Sequence, residues 1–210
     1  MIHHVRWASC AFLLGCSLVT ATAAGAQTNV AAIANNPLAQ GYASDVGYPG
    51  ANLNGPLDGN SNGNWDPNSF WHSSDNNYDW WYVDLAQLWS VSSMTFYNRT
   101  DCCDYRIANG QFQLWTSTPF ANTSTAVFTA TLDGSTVQTF SVPNVTARYA
   151  SVRAGNCFHE DCVLNFPEVE VMAVAVTATP EPASTALLVT GLLGLGGVVK
   201  RTRKKTRQIA

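Results

Sequence analysis

The chain has 210 residues, 46% of them hydrophobic and only 12% charged, with a formal net charge of −3. The charge is unevenly spread: residues 27–178 hold thirteen of the fourteen acids but only Arg99, Arg106, Arg148 and Arg153 as cations, a net −9, while six of the other seven cations lie between Lys200 and Arg207. Such a core lacks the clustered cations that nucleic acid requires, and it suits hard cations such as calcium, although solubility alone would also use the charge.

Residues 1–26 read as a secretory signal peptide. His3, His4 and Arg6 give a modest basic start, Cys10 to Val19 form a mostly apolar stretch, and Ala24-Gly25-Ala26 supplies small residues for signal-peptidase cleavage before Gln27. Lipidation at Cys16 is the rival reading, and Leu14 before Gly15 fits a lipobox awkwardly. Residues 27–178 are then enough for one domain with its own core. From Ala34 to Asp79 the composition is that of a long loop, dense in Asn, Gly, Ser and Pro. A loop of that length in a compact domain is usually functional.

Short alternating runs follow. The expected strands are Trp81 to Leu85, Ser93 to Asn98, Gln111 to Trp115, Ala126 to Leu132, Val137 to Val142, Ala147 to Arg153 and Glu168 to Val174. In the third, alternation turns Phe112 and Leu114 inward and Gln111 and Gln113 outward. Asp133-Gly134 is a hairpin signal between two of these runs. No core segment keeps a helical period over eleven residues. The expected fold is therefore all-β, an antiparallel β-sandwich.

The most specific string is Asn98-Arg99-Thr100-Asp101-Cys102-Cys103-Asp104-Tyr105-Arg106. Adjacent cysteines cannot easily be bridged without strain in the peptide between them, and strain persists where surroundings enforce it, often at functional sites. The flanking guanidinium groups offer fixed forks of donors for hydroxyl oxygens, and a carboxylate can orient them.

Leu57-Asp58-Gly59-Asn60-Ser61-Asn62-Gly63-Asn64-Trp65, then His72, then Trp80-Trp81-Tyr82-Val83-Asp84-Leu85, then Tyr97 to Cys103 together resemble the fucolectin family. These are fucose-binding lectin domains among the discoidin-like, galactose-binding-like jelly-roll sandwiches. The detailed match covers about residues 34–120. Beyond it, the strand pattern and Glu168-Val169-Glu170-Val171 agree.

The resemblance implies a sugar site of His72, Arg99, Arg106, Asp101 and the bridged pair Cys102–Cys103, with Asp101 orienting the second arginine or its loop. Trp71 is a further candidate for stacking on sugar, or else wall or core, and Tyr105 could narrow the site. His72 lies two residues farther from the first arginine than in some family members. The resemblance also implies structural calcium, held by Asp58, Asn60, Ser69, Glu168 and the Pro167 carbonyl, with Asn54 favoured over Gly55 for a further position. Calcium would pin the loop that carries His72. Asp58-Gly59-Asn60 is no EF-hand, since the twelve-residue spacing and closing Glu are missing, and a metal-free Asx-rich turn is the alternative.

In an oxidising compartment Cys157 and Cys162 close a small loop as a second disulfide. A zinc site of Cys157, His159 and Cys162 is the alternative, without a clear fourth ligand. At the C-terminus, Thr179-Pro180-Glu181-Pro182 leads into an apolar run, Ala183 to Val199, and a basic tail from Lys200 to Arg207. Seventeen residues of helix span roughly 25 Å, the short end for a bilayer, and the basic cluster belongs on the cytoplasmic side. The three parts in order resemble the PEP-CTERM sorting signal, with Pro180, Glu181 and Pro182 as its motif. That implies a Gram-negative bacterium, exosortase processing, transient inner-membrane anchoring, and release to the surface or a polysaccharide matrix. An ordinary single-span anchor is the plainer reading.

Catalysis finds little support. Asp101/Asp104 or Asp75/Asp79 could be drawn as a glycosidase pair, as could any two acids in an acidic core. There is no Gly-x-Ser-x-Gly elbow and no phosphate-cradling loop. The expectation is a secreted, calcium-stabilised, non-enzymatic lectin-like protein for fucosylated or related glycans, with a homo-oligomer as a candidate assembly. A matrix scaffold whose sugar site has decayed is the second reading. The third is a protein- or lipid-binding module, which would expose apolar loop tips such as Phe70-Trp71.

Overall fold

A computed structural model describes residues 26–45, 47–74, 79–155 and 163–176. Most of the signal peptide, Asp75, the Cys157–Cys162 pair with His159, the Pro180-Glu181-Pro182 motif and the C-terminal apolar run lie outside these residues. Among the described residues no helix is long and apolar enough to cross a membrane.

Among the described residues nine strands form, in chain order β1 (Thr28–Asn29), β2 (Gln40–Ala43), β3 (Trp71–His72), β4 (Trp80–Tyr97), β5 (Gln111–Trp115), β6 (Phe128–Thr131), β7 (Val137–Arg153), β8 (Asn165–Phe166) and β9 (Glu168–Ala175). Short 3₁₀ turns at Gly55–Leu57 and Asp104–Ile107 are the described helical pieces. Every pairing is antiparallel, in the order β1-β9-β4-β7-β5-β6 with β2 also on β4, and β3 and β8 form a separate ribbon. The all-β antiparallel expectation holds.

The two longest strands are the surprise. Trp81 to Leu85 and Ser93 to Asn98 belong to one strand, and so do Val137 to Val142 and Ala147 to Arg153. Along β4, the first half pairs with β2 and the second half of β7, while the second half pairs with β9 and the first half of β7. The register shifts between Asp84 and Trp89 and between Val91 and Ser93, and Ala86 adopts φ 66° with its N–H held by Asp84 Oδ1 at 2.8 Å. Such bulges let a strand bend from one layer to the other. A break in hydrophobic alternation thus marks a bend, where the sequence reading placed a gap between strands.

The Asp133-Gly134 turn forms, with Gly134 at φ 89° and Ser135 N–H on Asp133 Oδ1. It does not close a hairpin, because β6 pairs with β5 and not with β7. It carries the chain across to the first half of β7 instead.

The core lies between the layers. Trp81, Val83 and Leu85 of β4, Phe112 and Leu114 of β5, and Ala150 and Val152 of β7 meet Met94, Phe96, Val169 and Val171. Phe96 touches Phe112 and Phe166, and Phe166 touches Trp81. Each large side chain sealed there contributes about 1.5–3 kcal/mol. Gln113 departs from expectation: it faces away from Phe112 but is buried, with Nε2 3.3 Å from Thr129 Oγ1. Trp115 is also buried, and its ring and that of Trp80 both pack on Phe120.

Candidate functional site

The segment after β4 turns on Asn98, a buried side chain whose Nδ2 donates to the carbonyls of Asp104 and Gly134, each at 2.9 Å, while its Oδ1 accepts Arg99 N–H. One amide thereby fixes both ends of the loop that bears Arg99 and Arg106. Gly63 packs where a Cβ would lie 2.5 Å from Thr100 Oγ1, so only glycine lets the Asn-rich loop approach this segment. Cys102 and Cys103 are bonded to each other, with Cys103 in the left-handed region at φ 63°.

Asp101 clamps Arg99. Its Oδ1 accepts Nε at 2.6 Å, and its Oδ2 accepts Nη2 and the Trp65 N–H, each at 3.2 Å. The Arg99 hydrogen bond holds the Asp101 carboxyl below the usual carboxylate range. The carboxylate therefore orients the first arginine, where the resemblance assigned it to the second arginine or its loop. The Arg99 guanidinium also lies over the Trp65 ring, 5.3 Å from its centroid, a cation–π geometry.

His72 arrives from the other side, on β3. Its Nδ1 lies 2.7 Å from the Ser73 carbonyl. A carbonyl can only accept, so Nδ1 carries a proton and donates to it. Its ring packs against Tyr48 at 5.0 Å and Trp65 at 5.5 Å. Asp45 ties the two approaching loops together, accepting Gly47 N–H, Ser74 N–H and the Ser74 hydroxyl. Gly47, at φ 73°, leaves room for the Trp71 ring, 2.6 Å from where a Cβ would stand.

These loops enclose a cavity of about 330 Å³ lined by Tyr48, Trp65, His72, Arg99, Arg106 and Val163, at the small end for ligand sites. The structure thus brings together three of the expected residues, His72, Arg99 and Arg106. Asp101, Cys102 and Cys103 do not line this cavity: Asp101 acts on it through Arg99, and the cysteines lie between its two arginines in the chain. Tyr105 is half exposed and does not line the cavity, so it does not narrow it. Trp71 is 2% exposed and Phe70 0%. Trp71 is therefore core, not a stacking platform, and the exposed apolar tip that a lipid- or protein-binding module would need is not formed by this pair. Tyr48, Trp65 and Val163 went unassigned in the sequence. Trp65 stood inside a motif string, whereas nothing local marks Tyr48 or Val163.

A second cluster gathers beneath the loop. Asp58 Oδ2 accepts the Ser69 hydroxyl at 2.5 Å, and Asn60 Nδ2 donates to Ser69 Oγ at 3.0 Å. Glu168, 1% exposed, accepts Gly59 N–H on Oε2, while its Oε1 is buried with no hydrogen-bond partner. Burial first, and then the neighbouring Asp58, push the Glu168 carboxyl up to about 9. Pro167 is buried beside it in sequence. Asn54 spends its Oδ1 on Gly41 N–H at 2.8 Å. No three of the described His, Cys, Asp and Glu side chains cluster as a metal site, so any cation here must draw on neutral oxygens beside two carboxylates. An orphaned carboxylate oxygen among hard oxygen donors fits calcium chemistry.

A bent sandwich that gathers loops around a small cationic and aromatic pocket at one end has the form of a lectin-type binding domain. Residues 57–152 match the family model described as a NedA-like, galactose-binding domain. The chain is 32% identical over 122 residues to Fucolectin-1 of Anguilla japonica, covering 56% of this chain and 66% of that protein. The curated fucolectins that it matches are spanned over 30% to 66% of their own lengths. Among solved structures, a fucose binding module of Streptococcus pneumoniae superposes with TM-score 0.58 at 27% identity, covering 70% of this chain and 96% of that one. The lectin domain of lectinolysin, solved with Lewis B antigen, gives TM-score 0.60 at 23% identity, covering 72% of this chain and 100% of that one, which speaks for the fold. Together these matches make the chain similar to fucolectin-type, carbohydrate-binding domains, which are lectins and not enzymes, and they show the same all-β fold.

Proposed function

We propose that the pocket binds a fucose residue, or a closely related hexose, of surface or extracellular polysaccharide, and holds it without chemical change. The observation that carries this reading is the convergence of His72, from β3, with Arg99 and Arg106, from the segment after β4, on one aromatic-walled cavity. The guanidinium forks offer donors to ring and hydroxyl oxygens, His72 can donate or accept, and Tyr48, Trp65 and Val163 provide an apolar wall for the carbon face. The likeness to fucolectins and to a fucose binding module supports the choice of sugar. The bonded Cys102–Cys103 pair would flank the ring once the ligand seats.

Calcium, held by Asp58, Asn60, Ser69, Glu168 and the Pro167 carbonyl, would lock the loop behind His72; Asn54 would have to give up its bond to Gly41 to join them. The protein works outside the cell after signal-peptide removal, and the Pro180-Glu181-Pro182 segment delivers it through exosortase from the inner membrane to the surface or matrix. One such site binds at the millimolar level, about 4 kcal/mol, so adhesion would need several copies on one surface.

A glycan array of the oxidised chain, with calcium or with chelator, beside Arg99→Ala, tests this. Binding of fucosylated glycans by the parent that disappears in Arg99→Ala is the expected result. Silence of the parent across the array would overturn the fucose reading and leave a matrix scaffold in its place.

A further inference from the structure

Directly across the β3–β8 ribbon from His72 stands Asn165. Its neighbour Phe166 points into the core against Trp81 and Phe96 and pairs with the buried Trp71. Alternation along a strand therefore puts Asn165 on the opposite face, the face that carries His72. Val163, two residues earlier, lines the cavity as well. Asn165 does not itself line the cavity; it lies behind the wall, flanked across the ribbon by His72 and along the chain by Val163, which do.

Its chemistry is unfinished. Asn165 is 3% exposed, and neither Oδ1 nor Nδ2 has a hydrogen-bond partner. The other buried asparagines among the described residues are different. Asn36 donates to the carbonyls of Val30 and Leu85, and Asn98 to those of Asp104 and Gly134. A buried primary amide with both ends unmet is costly and calls for an explanation, one of which is a ligand or water that completes it. A hydroxyl group both donates and accepts, so it can satisfy either end of the amide.

We propose that Asn165 is a specificity-determining residue of the pocket, its buried amide completed by a hydroxyl of the bound sugar, directly or through one water. This rests on the sugar-binding reading of the cavity and extends it to a group behind His72 that reads hydroxyl pattern rather than charge.

The test is Asn165→Leu in the full chain, titrated calorimetrically with methyl α-L-fucoside and its monodeoxy analogues, with melting curves recorded in the absence of sugar. Affinity should fall tenfold or more, which corresponds to about 1.4 kcal/mol. The melting temperature should hold or rise, because the orphan amide is gone. One deoxy analogue that binds the parent weakly should carry no further penalty in Asn165→Leu. Unchanged affinity in a folded variant, or the same deoxy penalties in both proteins, would overturn the proposal. If the variant does not fold, the Asn165 side-chain amide resonances of the parent decide. Movement in step with sugar occupancy supports the contact, and fixed resonances refute it. A parent that binds no fucoside would bring down the pocket reading and this inference together, whereas normal parent binding with an indifferent Asn165→Leu counts against Asn165 alone.

Discussion

Arg99 is the residue whose geometry is most completely determined. Asp101 holds its Nε and Nη2, Asn98 holds its backbone N–H, and the Trp65 ring lies against its charge. Guanidinium groups lose less freedom per hydrogen bond when their plane is already fixed, so Asp101 should affect affinity more than stability. Asp101→Asn is expected to weaken fucoside binding about tenfold, near 1.4 kcal/mol, while thermal stability changes by less than about 1 kcal/mol, as befits a partly exposed ion pair. Calorimetry and melting curves on the same sample check both halves. The pH dependence has a definite sign. The Asp101 carboxyl is depressed in the folded protein, so the clamp is complete above the ordinary carboxylate pKa and is lost as pH falls through the lower folded value. The contribution of the Asp101 clamp to binding should therefore persist across the neutral and mildly acidic range and be lost only in strong acid.

At the scale of elements, the site depends on how loops are fastened to strands. Asn98 caps the end of β4 and fastens the arginine loop at two carbonyls. Asn98→Ala would strip both bonds from a buried position, at a cost of about 2–3 kcal/mol, and would release Arg99 and Arg106 together. Chemical denaturation should show the loss, and binding should fall by more than Asp101→Asn alone produces. The β3–β8 ribbon is the opposing fastening. Its two residue pairs set Trp71 and Phe166 into the core and so place His72 on the opposite face, where it lines the pocket. Asp45 joins the Tyr48 loop to the end of this ribbon through Ser74. The arginine segment and His72 are thus each fastened to a strand of the fold.

For the molecule as a whole, the Glu168 cluster couples the long loop to β9. Without metal, Glu168 has a folded pKa near 9, well above that of an exposed glutamate. The folded state then holds more protons than the unfolded state between about pH 4.5 and 9, so stability falls as pH rises through that window. Melting temperatures in chelator should decline from pH 5 to pH 8. Calcium, which needs the ionised carboxylate, should remove the decline and raise the melting temperature most at pH 8. An identical, flat profile with and without calcium would remove the metal from the picture.

The sequence alone determined the fold class and the motif. Period-two alternation and the lack of any helical period are local properties that dictate antiparallel strands, and the Arg99 to Arg106 string carries its donors wherever the chain places it. Asp58, Asn60, Ser69 and Glu168 were also legible, as a set implied by resemblance. The tertiary structure decided what depends on distance through space. It fused four expected strands into two bent ones, because a bulge and a gap look alike in a pattern. It moved Asp101 onto Arg99, buried Trp71, and made a wall of Tyr48, Trp65 and Val163, residues up to 115 positions apart in the chain. Side-chain chemistry is written in the sequence, but which groups face one cavity is fixed by where the core pulls the strands beneath them.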